Sequence, residues 1–243
     1  MATAAELLIP LRPGLVPVPA AGQAGVCRYC HGACDPNYEQ CFPCLEAVRS
    51  IGAVEILPIS MSVDGDLLHR HLRGYKDDRS AQVRGRMSLR LAALVSVFIE
   101  HHRSCVGEFD SVVTVPSPGR VAVEAVVRRV RSLVGGYRPA LRATGVGSKN
   151  ELRTDRFEVL RAVQGERVLV LDDTFTRGPT LFSAVGALGE AGAVIVGPVI
   201  VGRHVQPGWA PSRELLAWLR SRPWDEGRCC RCAGERADAG GML

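Results

Sequence analysis

The chain of 243 residues is long enough to bury a substantial core, and its 47% hydrophobic and 23% charged residues are typical of a globular protein and exclude a disordered or fibrous one. Its formal charge of +5, from 30 basic against 25 acidic side chains, suits a small anionic ligand but is too weak by itself to indicate nucleic acid. No apolar run approaches the roughly 20 residues that a membrane-spanning helix needs, so we expect no membrane contact.

The first 50 residues divide into two regions. Residues 1–25 are rich in proline and show no clear period, so we expect a flexible leader with little regular structure. Because no basic stretch precedes its short apolar run, this leader does not resemble a secretory signal, and we expect a cytoplasmic protein. Residues 26–50 are rich in cysteine.

This cysteine-rich region contains two C-x-x-C pairs with the spacing of a zinc finger. The four cysteines are Cys27, Cys30, Cys41 and Cys44, with ten residues between the pairs. Two such pairs place four thiolates around a tetrahedral Zn²⁺, which cross-links a segment that is otherwise too short to fold. We therefore predict a structural zinc finger, with reduced free thiols or disulfides as the alternatives. His31 and Cys34 lie between the pairs and could replace a ligand.

Residues 51–205 alternate short apolar runs with helical periods. The predicted strands are Val54–Val63, Ser111–Val115, Arg167–Asp173 and Ala193–Val201, and the predicted helices are Arg79–His102, Arg120–Leu133 and Thr180–Glu190. Pro58 assigns the first strand to an edge of the sheet. Strands that lack alternation and are separated by helices indicate an α/β fold, with a mostly parallel sheet covered by helices on both faces.

The remaining residues, 206–243, form a tail with a further cysteine cluster at Cys229, Cys230 and Cys232. These thiols could share the N-terminal zinc or bind a separate ion. We predict that Cys105 is a small buried or half-buried residue rather than a nucleophile. The histidines His69, His71, His101 and His102 are in no arrangement that suggests a catalytic triad, so we expect them to be solvated helix residues.

The segment Val168–Thr180, VLVLDDTFTRGPT, contains the chemistry-bearing residues of the third region. Asp172 and Asp173 end a predicted strand, and their side chains point to opposite faces of the sheet, so at least one can accept hydrogen bonds from a ligand diol. The following loop leads into a helix, whose free N–H groups and positive dipole end suit a phosphate. We predict a site for a phosphorylated ribose; a generic strand–turn–helix with a capping acid is the alternative.

This segment resembles the phosphoribosyl-diphosphate (PRPP) motif of type I phosphoribosyltransferases. The order of the cysteine cluster, LRGYKDD (Leu72–Asp78), VTVPSP (Val113–Pro118) and the acidic motif is similar to the ComF branch of that family. The resemblance implies that Asp172 and Asp173 hold the ribose hydroxyls and act in catalysis, and that Mg²⁺ accompanies the PRPP. The further PRPP-binding residues that it implies are Lys76, Ser117, Arg120, Thr174, Thr176, Arg177, Gly178 and Thr180.

Several alternatives remain open around this motif. Lys76 could instead be an ordinary surface lysine, Arg120 a solvated residue at a helix start, and Lys149–Arg156 either a segment that closes over substrate or an exposed loop. Arg177 and Pro179 stand where the family usually has Thr and a small residue. The resemblance therefore implies a phosphoribosyltransferase with an unidentified nitrogen acceptor. The alternative is a non-catalytic PRPP- or nucleotide-binding protein that acts in DNA uptake or regulation, with a nucleic acid or protein partner bound through the zinc finger.

Overall fold

Four parallel strands form the central sheet of the protein in the computed structural model, which describes residues 2–117, 122–148 and 150–232. The strands of this sheet are β1 (Leu57–Val63), β2 (Ser111–Thr114), β5 (Arg167–Phe175) and β6 (Val194–Val205). They lie in the order β1-β6-β5-β2, and every neighbouring pair is parallel. Strand β1, which contains Pro58, lies at an edge of the sheet as predicted, because proline provides no N–H for a second neighbour.

Nine α-helices surround this sheet in the described part of the chain. They are α1 (Ala4–Leu8), α2 (Phe42–Ile51), α3 (Leu67–Asp77), α4 (Ala81–His101), α5 (Arg103–Val106), α6 (Ala122–Val127), α7 (Arg131–Val134), α8 (Pro179–Glu190) and α9 (Ala210–Arg220). Helix α4 begins at the Ser80 cap, whose hydroxyl accepts from the N–H of Val83. The predicted helix over 120–133 is instead the two short helices α6 and α7.

Apolar side chains cover both faces of the sheet, which confirms the predicted α/β class. On one face, Leu169 and Leu171 of β5 share a core with α3, α4 and α6. On the other face, Val168 and Val170 pack with α8 and with the cysteine-rich segment. This division follows from the alternation of side chains along a strand that is buried on both sides.

The N-terminal segment differs from the predicted flexible leader. It forms the helix α1 and a 3₁₀ turn at Arg12–Gly14, and Leu8 and Leu11 are fully buried in the core beside α4. A capping box between Thr3 and Glu6 begins α1. Burial of these leucines stabilises a segment whose prolines had indicated irregular structure.

Two further features lie outside the predicted elements. A short antiparallel pair joins β3 (Leu141–Ala143) to β4 (Phe157–Val159), and α9 lies in the expected tail. Strands of three residues carry too little pattern to be recognised from sequence. Among the described helices, none is both long and apolar enough to cross a membrane.

Candidate functional site

The end of β5, the site loop (residues 176–178) and the start of α8 form one continuous unit. Gly178 adopts a φ of +98° just before α8, a conformation that L-residues with a side chain rarely adopt. A Cβ at this position would also collide with the rings of Phe175 and Phe182, which pack edge to face at 5.5 Å. Pro179 occupies the first helical position, where its fixed φ suits the helix.

A cleft of about 400 Å³ opens beside this unit at the carboxyl end of β5. It brings together six of the residues that the sequence predicted for the site, which are Asp172, Thr174, Thr176, Arg177, Gly178 and Thr180. Asn150, from the predicted stretch Lys149–Arg156, also lines it, as does Gln206, which the sequence analysis did not single out. Among the described residues, the cleft therefore combines the carboxyl group of Asp172, several hydroxyls and the guanidinium of Arg177.

The first turn of α8 faces this cleft. The N–H groups of Thr180 and Leu181 precede the first helical hydrogen bond, in which Phe182 donates to the carbonyl of Gly178 at 2.8 Å. Pro179 contributes no N–H, and the exposed guanidinium of Arg177 lies beside it. This group of donors, together with the helix dipole, suits a phosphate.

Asp173 lies on the opposite side of β5 from Asp172, as the alternation of strand side chains requires. Its carboxylate is buried and accepts a hydrogen bond from the hydroxyl of Tyr75, and the ammonium of Lys76 lies 2.5 Å away. A second cavity, lined by Lys76, Asp173 and the exposed Ser117, opens here. The structure thus places the predicted Lys76 and Ser117 beside Asp173, whereas Arg120 lies outside the described residues.

The two acids have different electrostatic surroundings. Burial, and then the nearby charge of Asp173, raise the pKa of Asp172 to about 8, although the backbone N–H of Asp173 donates to Asp172 at 2.9 Å. Asp172 is therefore largely protonated at neutral pH in the free protein. A protonated carboxyl can donate as well as accept a hydrogen bond to a diol.

Arg203 contacts the site loop and was not singled out by the sequence analysis. Its guanidinium donates to the carbonyl of Thr176 at 3.0 Å, stacks on the ring of Phe175 at 5.0 Å, and lies 3.5 Å from the sulfur of Cys30. These contacts fix the site loop against β6 and the cysteine-rich segment. Arg203 lies at the carboxyl end of a Val/Ile-rich parallel strand, where ligand sites of α/β proteins form, and this position could have pointed to it from the sequence.

The segment before the motif contacts α8 and contains an ion pair of its own. The backbone N–H of Arg153 donates to Ser183 of α8 at 2.9 Å, and the side chain of Arg153 pairs with Asp155 at 2.7 Å. Asn150 reaches the cleft, while Lys149 of the predicted stretch lies outside the described residues. Residues 150–156 therefore form a wall anchored to α8 at one side of the cleft.

The four predicted zinc ligands come together in the structure as the first cysteine cluster (Cys27, Cys30, Cys41 and Cys44). Their sulfur atoms all lie within 4.8 Å of one another, and the sulfurs of Cys30 and Cys41 are 3.7 Å apart. These spacings match the edges of a tetrahedral thiolate site. Four thiolates fill the coordination sphere of Zn²⁺, so this cluster fits a structural metal.

The neighbouring candidates His31 and Cys34 lie outside the first cysteine cluster. Cys34 donates to the carbonyl of Tyr38 at 3.4 Å. His31 is fully buried at a φ of +55°; its Nδ1 lies 3.0 Å from the carbonyl of Pro19, and its Nε2 lies 3.7 Å from Glu55. The structure thus gives both residues partners other than the predicted metal.

The prediction of solvated histidines is wrong for His71 and His102. His71 is buried between α3 and α4, where its Nδ1 lies 2.9 Å from the carbonyl of Leu67, and desolvation lowers its pKa. His102 is buried at the end of α4, with its ring 4.9 Å from that of Phe98. Both histidines face the protein interior. The polar residues next to them in the sequence had indicated an exposed position instead.

Comparisons with known proteins identify three solved structures to which the chain is similar. A phosphoribosyltransferase from Corynebacterium diphtheriae is 25% identical over 62% of this chain and 86% of its own, with a TM-score of 0.33. A phosphoribosylpyrophosphate synthetase from Mycobacterium smegmatis is 23% identical over 59% and 44%, with a TM-score of 0.33. A Mycobacterium tuberculosis orotate phosphoribosyltransferase in complex with inorganic phosphate is 20% identical over 60% and 88%, with a TM-score of 0.34. No protein-family model and no curated protein matches the chain.

Proposed function

We propose that the protein is a ComF-like phosphoribosyltransferase, which binds PRPP and transfers its phosphoribosyl group to a nitrogen acceptor. One observation carries this proposal: a carboxyl group, hydroxyls and the N-terminus of α8 line a single cleft at the carboxyl end of a parallel strand. The 5′-phosphate would bind the N–H groups at the start of α8, the hydroxyl of Thr180 and the guanidinium of Arg177. Asp172 would hold the ribose diol.

The transfer itself needs little covalent chemistry from the protein. The bond between C1 of the ribose and the diphosphate oxygen breaks, and its electron pair leaves with diphosphate. The lone pair of the acceptor nitrogen then forms the new bond to C1, and the nitrogen loses one proton. With the phosphate and the diol both fixed, C1 is held in line between the acceptor and the leaving group.

Residues on the other side of β5 suit the diphosphate. Lys76 and Ser117 line the cavity at Asp173, and an ammonium beside a hydroxyl can stabilise the charge that develops on the leaving group. Neither Asp172 nor Asp173 belongs to a group of three or more metal-ligating side chains among the described residues. This arrangement fits Mg²⁺ held mainly by the diphosphate, where the ion would neutralise the leaving group.

A second candidate function, binding without turnover, is favoured by the surroundings of Asp173. Its carboxylate already contacts Tyr75 and Lys76, so the diol would meet only one free acid. Such a protein would respond to PRPP or a nucleotide in regulation or DNA uptake. A nucleic acid or protein partner at the cysteine-rich segment would belong to this function, and a reducing compartment such as the cytoplasm suits the free thiols of either candidate.

Calorimetric titration with PRPP and Mg²⁺ tests both candidates. Wild-type protein should bind, and Asp172→Asn should bind about 10-fold or more weakly, because an amide cannot ionise on binding and so cannot accept charge-assisted hydrogen bonds from the ribose diol. Asp110→Asn is the matched control, since Asp110 pairs with Arg167 at the opposite end of β5 and should leave the affinity unchanged. Absence of binding by folded wild-type protein would overturn both candidates.

Release of diphosphate separates transfer from binding alone. Wild-type protein incubated with PRPP, Mg²⁺ and each of several nucleobases and amines should release diphosphate with at least one acceptor. Tight binding without release across the whole panel would support the non-catalytic function instead. A titration with single-stranded DNA, with and without PRPP, then measures the nucleic acid partner directly.

A further inference from the structure

A second group of metal-ligating side chains lies far from the first cysteine cluster in the sequence. His102 and Cys105 follow the end of α4, and Cys229 and Cys232 lie near the end of the described chain. One ligand atom from each residue lies within 4.8 Å of those of the other three. These four residues are the second cluster. Its histidine was expected to be solvated, and its Cys105 was expected to be an isolated small residue.

The spacing within the second cluster is that of two zinc-binding pairs. His102-x-x-Cys105 supplies one pair from a helix end, and Cys229-x-x-Cys232 supplies the other from a turn. In each pair, three residues of separation place both ligand atoms on the same side of a tight turn. A hydrogen bond closes the turn of the second pair: the N–H of Cys229 donates to Sγ of Cys232 at 3.1 Å.

The interatomic distances fit a tetrahedral ion. Sγ of Cys229 lies 3.5 Å from Sγ of Cys232, which in turn lies 3.8 Å from Nδ1 of His102. Zn²⁺ binds sulfur at about 2.3 Å and imidazole nitrogen at about 2.0–2.1 Å, so ligand atoms at the corners of its tetrahedron are separated by about 3.5–3.8 Å. A disulfide would need sulfur atoms about 2.05 Å apart.

We propose that His102, Cys105, Cys229 and Cys232 bind a Zn²⁺ ion of their own, distinct from the ion of the first cysteine cluster. Three thiolates and one imidazole form a set of ligands that favours zinc over the hard cations Mg²⁺ and Ca²⁺. All four positions of the tetrahedron are taken by protein ligands, so the site is structural. It resolves the alternative that the sequence left open, in favour of separate ions.

The ion would fasten the end of the described chain to the end of α4. Other contacts already place this segment there: Trp224 donates to the carbonyl of Ile59 at 3.0 Å, and Arg231 donates to the carbonyl of Cys105 at 2.5 Å. These contacts preorganise the Cys229 pair opposite the His102 pair. The free energy of binding one ion with four protein ligands then offsets the conformational entropy that is lost when residues 221–232 become ordered.

Zinc content measured by elemental analysis of the full chain tests the proposal. Wild-type protein should hold two ions per chain, whereas Cys229→Ser and Cys27→Ser should each hold one. Cys230→Ser is the matched control, because Cys230 is a buried cysteine beside the second cluster that is not a member of it, and this variant should keep two ions. Wild-type protein that holds a single ion, lost in both Cys27→Ser and Cys229→Ser, would show one shared site and overturn the proposal.

Cobalt substitution keeps the test decisive if Cys229→Ser fails to fold. His102→Cys retains four ligands, so it should still bind two Co²⁺ ions with tetrahedral thiolate absorption. Replacing nitrogen by sulfur should shift the spectrum of one ion only. A spectrum of His102→Cys identical to that of the wild type would show that His102 is no ligand and would overturn the proposed site.

Discussion

Asp172 and Asp173 are adjacent in the sequence, yet they lie in different surroundings. Asp173 is buried against Tyr75 and the ammonium of Lys76, whereas Asp172 faces the cleft and forms no ion pair with the described residues. The alternation of side chains along β5 causes this separation. One acid is therefore part of the supporting structure, and the other is placed to contact a ligand.

This difference predicts that Asp172→Asn stabilises the free protein at neutral and alkaline pH. Burial raises the pKa of Asp172 to about 8 in the folded state, while the ordinary value in the unfolded chain is near 4. A group whose folded pKa is raised contributes stability that is lost as the pH increases from its unfolded pKa through its folded pKa. Asparagine cannot ionise, so the variant should gain on the order of 5 kcal/mol at pH 8, because the two pKa values differ by about four units and each unit is worth about 1.4 kcal/mol.

Urea unfolding of wild type and Asp172→Asn at pH 6 and pH 8 measures this gain, which should shrink at the lower pH. Asp110→Asn is the control of opposite sign. Hydrogen bonds from Arg167 lower the pKa of Asp110, so this substitution should bring no gain at pH 8. A gain for Asp172→Asn that is equal at both pH values would contradict the pKa assignment.

The helix α1 and the turn that follows it show why a proline-rich segment can be ordered. Leu8 and Leu11 have no exposed surface and pack beside α4. Val16 then pairs with Met61 at the outer edge of β1, so the segment also covers an unpaired strand edge. The segment completes the core on one face of the sheet.

Truncation of Leu11 tests this contribution. We expect Leu11→Ala to lower the free energy of unfolding by about 2–4 kcal/mol, because it removes buried methyl groups and leaves a cavity. Ile9→Ala is the matched control, since Ile9 is 61% exposed and should change the free energy by less than about 0.5 kcal/mol. Equal effects of the two substitutions in urea titrations would contradict the ordered segment.

The regular elements were predictable where one physical pattern dominated. Continuous apolar runs identified β1, β2, β5 and β6, and the helical period of 79–102 identified α4 within two residues at its start and one at its end. The predicted end of β5 was short by two residues, because the strand continues through Thr174 and Phe175 to the site loop. Local pattern cannot show how far a strand extends when pairing with a longer neighbour, here β6, allows it to continue.

The site was predictable only as far as it is local in sequence. The cleft residues between Asp172 and Thr180 lie close together in the sequence and were found together, whereas Gln206 reaches the cleft, and Arg203 the site loop, from the end of another strand. Two of the three residues grouped with His102, Cys229 and Cys232, are likewise more than 100 residues away in the chain. Such groupings arise from tertiary packing, and the residues that packing brings together have no fixed separation in the sequence by which they could be recognised.

The two cysteine clusters are connected through a chain of side chains. His31, next to Cys30 in the sequence, lies 3.7 Å from one carboxylate oxygen of Glu55. Arg231, which lies between Cys229 and Cys232 in the sequence, donates to the other oxygen at 3.1 Å. Arg203 extends this chain from Cys30 to the site loop. The cysteine-rich segment is therefore connected by side-chain contacts both to the site loop beside the cleft and to the end of the described chain.

This connection predicts that Glu55→Gln loosens both clusters at once. Glutamine keeps the shape of Glu55 but removes the negative charge that lies against His31 and Arg231. Loss of this half-buried pair should cost about 1 kcal/mol of stability. The rates of zinc transfer from both clusters to a chromogenic chelator should rise, up to about fivefold. Glu158→Gln removes a comparable but more exposed pair with Arg142 and should change neither rate. Faster release from one cluster alone would show that Glu55 supports that cluster without connecting the two.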